Sequence, residues 1–170
     1  MLSWIGAITV IASAVLMGIT KREEFRCRER ELRDFMNFLS RLENDLDCFK
    51  SGIRDALEHA LPYCETNLQV VLDKVLERLK SASGERVSEV WNEALIHTSL
   101  TINAEDKEIL KSFGKGLDGG DFSAQKRNIE FTKRQLERRL DDARESGEKN
   151  GKLTLRLSLL GSIAVVILLL

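Results

Sequence analysis

The two histidines and three cysteines are the residues of this chain whose chemistry best suits metal binding or nucleophilic catalysis. His59 and His97 are 38 positions apart, and neither belongs to a metal-ligand motif such as H-E-x-x-H. Cys27, Cys48 and Cys64 form no C-x-x-C pair, and their odd number is unlike the disulfide framework of a secreted domain. The sequence therefore predicts no metal site, no cofactor and reduced, structural cysteines.

A glycine-rich segment at 113–120 contains one lysine and invites comparison with phosphate-binding loops. It lacks the preceding strand and the G-K-[ST] ending with which such loops hold a phosphate. We expect a tight turn between helices instead. Asn103 should cap the helix that leads to it, and Gly114, Gly116 and Gly119 should end that helix.

The charged residues alternate in sign along the chain, as they do on solvated helix faces. A net charge of -1 argues against nucleic acid as a partner. No nucleophile stands beside a base, so we predict that the chain is not an enzyme and has no small-molecule substrate. Arg134, Arg138 and Arg139 form a basic cluster that is a candidate surface for an acidic partner, with a solvated face as the alternative.

The charged part of the chain lies between two apolar ends. Residues 2–20 carry no charged side chain, and residues 153–170 carry only Arg156, which can extend to the lipid headgroups. As helices the ends span about 27 to 28 Å, close to the ~30 Å hydrocarbon core of a bilayer. We predict transmembrane helices at 2–20 and 153–170 and a separate domain at 21–152.

Small residues within these two segments have the spacing that permits close helix contact in lipid. The pairs are Ala14 with Gly18, and Ser158 with Ser162. The alternative for the first segment is a cleaved signal peptide, with a small-residue site at 12–14. Lysine and arginine flank both segments on the side of the central domain, which predicts a two-pass membrane protein whose central domain is cytoplasmic.

The central domain is predicted to be all-α, a helical bundle of about five to six helices. Its first helix has an apolar seam with heptad spacing: Phe25, Leu32, Phe35, Leu39, Leu42, Leu46 and Phe49. Shorter apolar stripes follow at 53–61, 68–79, 87–95 and 104–113, and Ser123 is the predicted cap of a last long helix. The seam fits either packing inside the domain or a coiled coil with a second copy.

Three segments stand out in order along the chain: RELRDFMNFLSRLE at 30–43, SEVWNEAL at 88–95 and EDKEILKSFGKGL at 105–117, followed by the leucine-rich tail. With the apolar segment that precedes them, they resemble the stage III sporulation protein AB family of endospore-forming bacteria. The family's usual Leu-Gly at the end of the glycine turn is Leu117-Asp118 here. The resemblance covers nearly the whole chain, although its motifs are helix faces and turns.

The resemblance implies a membrane complex formed between mother cell and forespore during sporulation. Members of the family are similar to the inner-membrane platform protein of type II secretion and type IV pilus systems. By that similarity we expect the central domain to dock a secretion-type ATPase and the membrane helices to contact other components of the complex. The alternative hypothesis is a membrane-tethered coiled-coil adaptor or signalling protein that self-associates through the heptad seam.

Overall fold

The computed structural model describes residues 2–49, 52–81, 84–118 and 121–169. Within these ranges the chain forms α-helices and one short 3₁₀ turn, and no strand. The elements are α1 (Leu2–Phe49), α2 (Ile53–Ala60), the 3₁₀ turn (Leu61–Tyr63), α3 (Thr66–Ser81), α4 (Val87–Ile96), α5 (Ala104–Lys115) and α6 (Phe122–Leu169). The all-α prediction is confirmed for the described part of the chain.

The chain divides into two compact units. One consists of residues 28–141, and the other joins residues 1–27 to residues 142–170. The predicted boundaries at 20/21 and 152/153 fall inside α1 and α6. Within the second unit, a Cβ added at Gly147 of α6 would lie 3.6 Å from the Cβ of Phe25, which is ordinary van der Waals contact.

The first unit, residues 28–141, is organised around the apolar seam of α1. The side chains of Leu32, Leu39 and Leu42 have no exposed surface, because they face the interior of their own unit. Opposite them, α6 contributes residues at helical spacing: Ile129, Thr132, Leu136 and Leu140. The seam is therefore covered within one chain, which is the first of the two uses that its spacing allowed.

The shorter helices form a continuous packed series. Helix α2 packs on α3, α3 on α4, and α4 on α5. Where α4 and α5 meet, the Trp91 ring lies edge-on to Phe113 with centroids 5.3 Å apart, and it stacks on Phe38 of α1 at 6.1 Å. Trp91 is fully buried, and its indole N–H donates to the carbonyl of Leu110 at 2.9 Å, so its polar atom is satisfied.

One local prediction needs correction. Ser123 is not the cap of α6: Asp121 precedes the helix, and its carboxylate accepts from the backbone of Ala124 at 2.9 Å and from the Ser123 hydroxyl at 2.8 Å. A carboxylate is the stronger acceptor and suits the positive end of the helix.

Candidate partner-binding surface

The basic cluster predicted on α6 divides into two parts in the structure. Arg134 is exposed, with 70% of its side-chain surface accessible, and Arg138 is exposed as well. Arg139 is not: its Nε donates to Asp106 at 2.9 Å and its Nη2 lies 2.5 Å from Glu105. The three residues therefore do not form one surface. Neighbouring residues of a helix project in different directions, so that Arg138 faces solvent while Arg139 faces α5.

Arg139 instead belongs to a buried ionic cluster centred on Asp106. The Asp106 side chain is fully buried, and its carboxylate also accepts from Nε and Nη2 of Arg28 at 2.7 and 3.1 Å. Burial alone raises the pKa of this carboxyl, but the hydrogen bonds from Arg28 and Arg139 outweigh it and lower the pKa. One ionised carboxylate thus joins α1, α5 and α6.

The same carboxylate completes the start of α5. Asn103 is the N-cap residue: its side chain accepts from the backbone of Asp106 at 2.8 Å, and Asp106 accepts from the backbone of Asn103 at 3.2 Å. This reciprocal pair is a capping box, with aspartate in the place of the usual glutamate. The orientation of α5 is therefore coupled to the ionic cluster that α1 and α6 share.

A second acidic residue, Glu31 of α1, fixes the loop between α4 and α5. Glu31 accepts from the backbone of Thr101 at 2.7 Å and of Ile102 at 3.2 Å, and from the amide of Asn67 on α3. These bonds satisfy loop donors that have no helical partner. Glu31 and Asp106 together hold the middle of the chain against α1.

Asp34 of α1 contacts the segment between the 3₁₀ turn and α3, which contains Cys64. Asp34 is buried and accepts from the backbone of Glu65 at 3.1 Å. Burial raises the pKa of Asp34 to about 6, with the neighbouring charges of Glu65 and Glu31 acting in the same direction. Burial likewise raises the pKa of the Cys64 thiol to about 12, which makes it a poor nucleophile at neutral pH.

The glycines predicted to end α5 have different roles. Gly114 lies inside α5, and a Cβ there would overlap the Trp91 ring and stand 3.0 Å from its Cγ. Gly116 is the C-cap residue with φ -83°, so it needs no left-handed conformation; a Cβ there would overlap the amide of Asn128, which donates to the Phe113 carbonyl at 2.9 Å. Glycine at these two positions lets the neighbouring side chain approach the backbone closely. Gly119 lies outside the described residues.

Asp118, which stands where the sequence comparison above led us to expect a glycine, makes contacts that the sequence alone did not reveal. Its carboxylate accepts from the backbone N–H of Ser88 at 2.8 Å and from the Ser88 hydroxyl. The N-cap residue of α4 is Arg86, which makes no side-chain cap bond. An aspartate from the following turn therefore supplies the cap that α4 lacks in its own sequence.

Sequence reasoning also missed the most exposed aromatic side chain of α6. Phe131 has 59% of its surface accessible, and it lies one turn before the exposed Arg134. The signal was present in the helical period, because Phe131 falls outside the buried series of Ile129, Thr132 and Leu136. Phe131 therefore belongs to the candidate surface in place of Arg139.

No metal-binding group of three or more histidine, cysteine or acidic residues occurs in the described ranges. Both His59 and His97 are exposed.

Within the part of the chain that the structure describes, none of the helices offers a stretch both long enough and apolar enough to cross a bilayer. The side chains of Ala14, Ser158 and Ser162, and the surroundings of Gly18, lie outside the described set. The two membrane helices and their packing contacts stay predictions from the sequence.

Comparison with known proteins agrees with the fold. The family model described as stage III sporulation protein AB matches residues 3–170. The stage III sporulation protein AB of Bacillus subtilis (strain 168) is 23% identical over 176 residues, with 99% of each chain covered. A solved structure of stage III sporulation protein AB superposes with a TM-score of 0.65 at 19% identity, over 72% of this chain and 97% of that chain. This last likeness concerns the fold alone.

Proposed function

Because the chain belongs to the stage III sporulation protein AB family, we propose that it is a non-enzymatic, membrane-anchored component of a secretion-like complex between mother cell and forespore. The helical domain at 21–152 faces the mother-cell cytoplasm and docks a secretion-type ATPase. Segments 2–20 and 153–170 lie in the bilayer and contact other membrane components. The family match over 3–170 carries this proposal, since it covers both ends as well as the domain.

The polar clusters of the domain support a structural role. The carboxylates of Asp106 and Glu31 accept hydrogen bonds from two or more helices or loops each, so their acceptor atoms are already occupied. Catalytic acids or bases must instead reach a substrate. The raised pKa of the Cys64 thiol further favours a packing role for that residue.

The coiled-coil adaptor is less well supported. Its interface would be the heptad seam of α1, but Leu32, Leu39 and Leu42 are covered by the rest of their own unit. A second copy could reach them only if α6 and the shorter helices moved away. Exposing that much apolar surface is costly at ~25 cal/mol per Å².

Membrane anchoring and orientation can be tested together. The full-length protein from sporulating cells should stay in the membrane pellet after alkaline carbonate extraction. In a variant that replaces Cys27, Cys48 and Cys64 by serine and carries Ser112→Cys on the exposed face of α5, a membrane-impermeant maleimide should label only lysed protoplasts. Release by carbonate, or labelling of intact protoplasts, would refute the anchored cytoplasmic domain.

ATPase docking needs a separate experiment. The tagged full-length protein, solubilised from membranes of sporulating cells, should co-purify with the secretion-type ATPase of the same complex. A tagged unrelated two-pass membrane protein of equal abundance is the control. If the ATPase is recovered equally with both, the docking role is wrong while membership of the sporulation machinery stands.

A further inference from the structure

We propose that the outward face of α6, formed by Arg127, Phe131, Arg134 and Arg138, binds an acidic protein segment that presents an apolar side chain to Phe131. We call these four residues the α6 stripe. The inference rests on the function proposed above, in that it takes the secretion-type ATPase as the protein that carries the acidic segment.

The spacing of the α6 stripe places its members on one side of the helix. The intervals are four, three and four residues, which keep side chains in register along an α-helix. The opposite side of the same turns is buried through Ile129, Thr132 and Leu136. The stripe therefore lies farthest from the domain interior, on a helix whose opposite face is buried in the domain.

Phe131 gives the stripe an apolar centre. Its side chain is 59% exposed, between Arg127 one turn before it and Arg134 almost one turn after it. Aromatic and arginine side chains are the residues that contribute most to protein–protein binding energy, especially near the centre of an interface. In the free domain the Phe131 ring is exposed to water. A partner that covered the ring would remove this apolar surface from water.

The charges of the stripe are poorly neutralised by the domain itself. Arg138 makes no ion pair with any described residue, and Arg127, which donates to the Ser123 hydroxyl at 3.2 Å, makes none within the same ranges either. Arg134 has Glu130 at 3.8 Å, which is a long pair on an exposed helix. The stripe is therefore a positive surface on a chain whose net charge is -1.

The basic residues on the sides of α6 behave differently. Lys126 lies 2.7 Å from Asp47, and Lys133 lies 2.9 Å from Glu43, both on α1. These lysines attach α6 to its neighbour, so their charge is compensated within the domain. Between residues 126 and 138 of α6, the lysines are thus compensated and the arginines of the stripe are not, which favours an acidic partner for the stripe.

Neighbouring acids favour a protein over other polyanions. Glu130, Glu137 and Asp141 flank the stripe on α6. A membrane surface or a nucleic acid presents closely spaced negative charge that would meet these carboxylates as well as the arginines. A protein segment can place its acids opposite the arginines alone and its apolar side chain opposite Phe131.

The test uses full-length protein in phosphatidylcholine nanodiscs and the purified ATPase, with dissociation constants measured at low and high salt. Two stripe variants, F131A and R134E/R138E, should each weaken binding by at least about tenfold. A matched charge-reversal control, R54E/R86E, changes exposed arginines on α2 and before α4 and should stay within about twofold. Binding of the wild type should weaken at high salt more than binding of R134E/R138E.

Each outcome decides between the proposals. If every variant binds the ATPase as tightly as the wild type does, the proposed role of the stripe is wrong and ATPase docking stands. Absence of wild-type binding would overturn both. Stripe-dependent binding to phosphatidylglycerol vesicles, with ATPase binding unaffected by the variants, would overturn the acidic protein partner in favour of lipid. Circular dichroism of each variant confirms its fold, and R127E serves as a third stripe variant if F131A fails to fold.

Discussion

The Nε atom of Arg28 on α1 lies 2.7 Å from Oδ2 of Asp106 on α5, across 78 positions of sequence. The Asp106 side chain is fully buried, and Arg139 of α6 contacts its other oxygen at 2.9 Å. Three helices are therefore held at one carboxylate, and removing its charge takes away the acceptor that both arginines share. This relationship makes Asp106 the residue of the domain with the clearest consequence on substitution.

Asp106→Asn should destabilise the domain by about 3 kcal/mol, because it breaks a buried ionic cluster from one side. The free energy of unfolding is measured by urea denaturation of the full-length protein in detergent. Asp73→Asn, on the exposed face of α3, is the matched control and should change stability by less than about 0.5 kcal/mol. Equal effects of the two changes would contradict the role assigned to the cluster.

The same variant has a pH signature. Arg28 and Arg139 lower the pKa of Asp106 below its usual 3.8 despite the opposing effect of burial. The stability that this carboxylate contributes is therefore present above about pH 4 and is lost as the pH falls toward the folded-state pKa. The stability difference between wild type and Asp106→Asn should therefore shrink as the pH falls below about 4; a constant difference would contradict the prediction.

Asp34 should behave in the opposite way. Its pKa is raised from 3.8 to about 6, so the folded state favours the protonated carboxyl, and ionisation above pH 6 opposes folding. Asp34→Asn should stabilise the protein by about 1 to 2 kcal/mol at pH 8, since the amide still accepts from the Glu65 backbone. Thermal unfolding should show the gain disappearing below about pH 4. A gain that is equal at pH 8 and pH 4 would exclude this explanation.

Gly114→Ala should destabilise the protein by about 1 to 3 kcal/mol, because the new methyl group would overlap the buried Trp91 ring. Gly52→Ala is the control: nothing lies within 4 Å of its added Cβ, and its φ of -61° suits any residue. The loss of unfolding free energy caused by Gly52→Ala at this N-cap should stay below about 1 kcal/mol. Near-ultraviolet circular dichroism reports the displacement of Trp91 directly, and an unchanged spectrum for Gly114→Ala would contradict the predicted overlap.

Asp118→Ala should cost about 1 kcal/mol, because it removes the side chain that caps α4 through Ser88. Ser88→Ala removes one of the two hydrogen bonds, so the two changes should not be additive. A double-mutant cycle by urea denaturation should give a coupling energy of at least about 0.5 kcal/mol between them. Strict additivity would show that the two residues act independently.

Local elements of this fold could be predicted from the sequence. The seam of α1 and the apolar stripes of α3 and α4 follow the helical period, and Asn103 before an acidic turn identifies the start of α5. The predicted cap of α6 failed because Asp121 and Ser123 are both suitable capping residues two positions apart, and the choice between them depends on backbone geometry.

Long-range partners could not be predicted in this way. Nothing local distinguishes Arg139, which binds buried Asp106, from its neighbour Arg138, which is exposed. The pairing depends on where α5 crosses α6. The same holds for Asp118, whose partner Ser88 lies 30 positions earlier. The candidate surface lost Arg139 for this reason, whereas Phe131 and Arg127 joined it because the helical period places them opposite the buried face of α6.

In the function proposed above, this protein brings a secretion-type ATPase to the membrane during sporulation. The test is the fraction of that ATPase that sediments with membranes in sporulating cells with and without this chain. We expect the ATPase to sediment with membranes in the wild type, and to become soluble both in the deletion strain and in a strain carrying R134E/R138E at normal abundance. An ATPase that stays membrane-bound to the same extent in the deletion strain would contradict it.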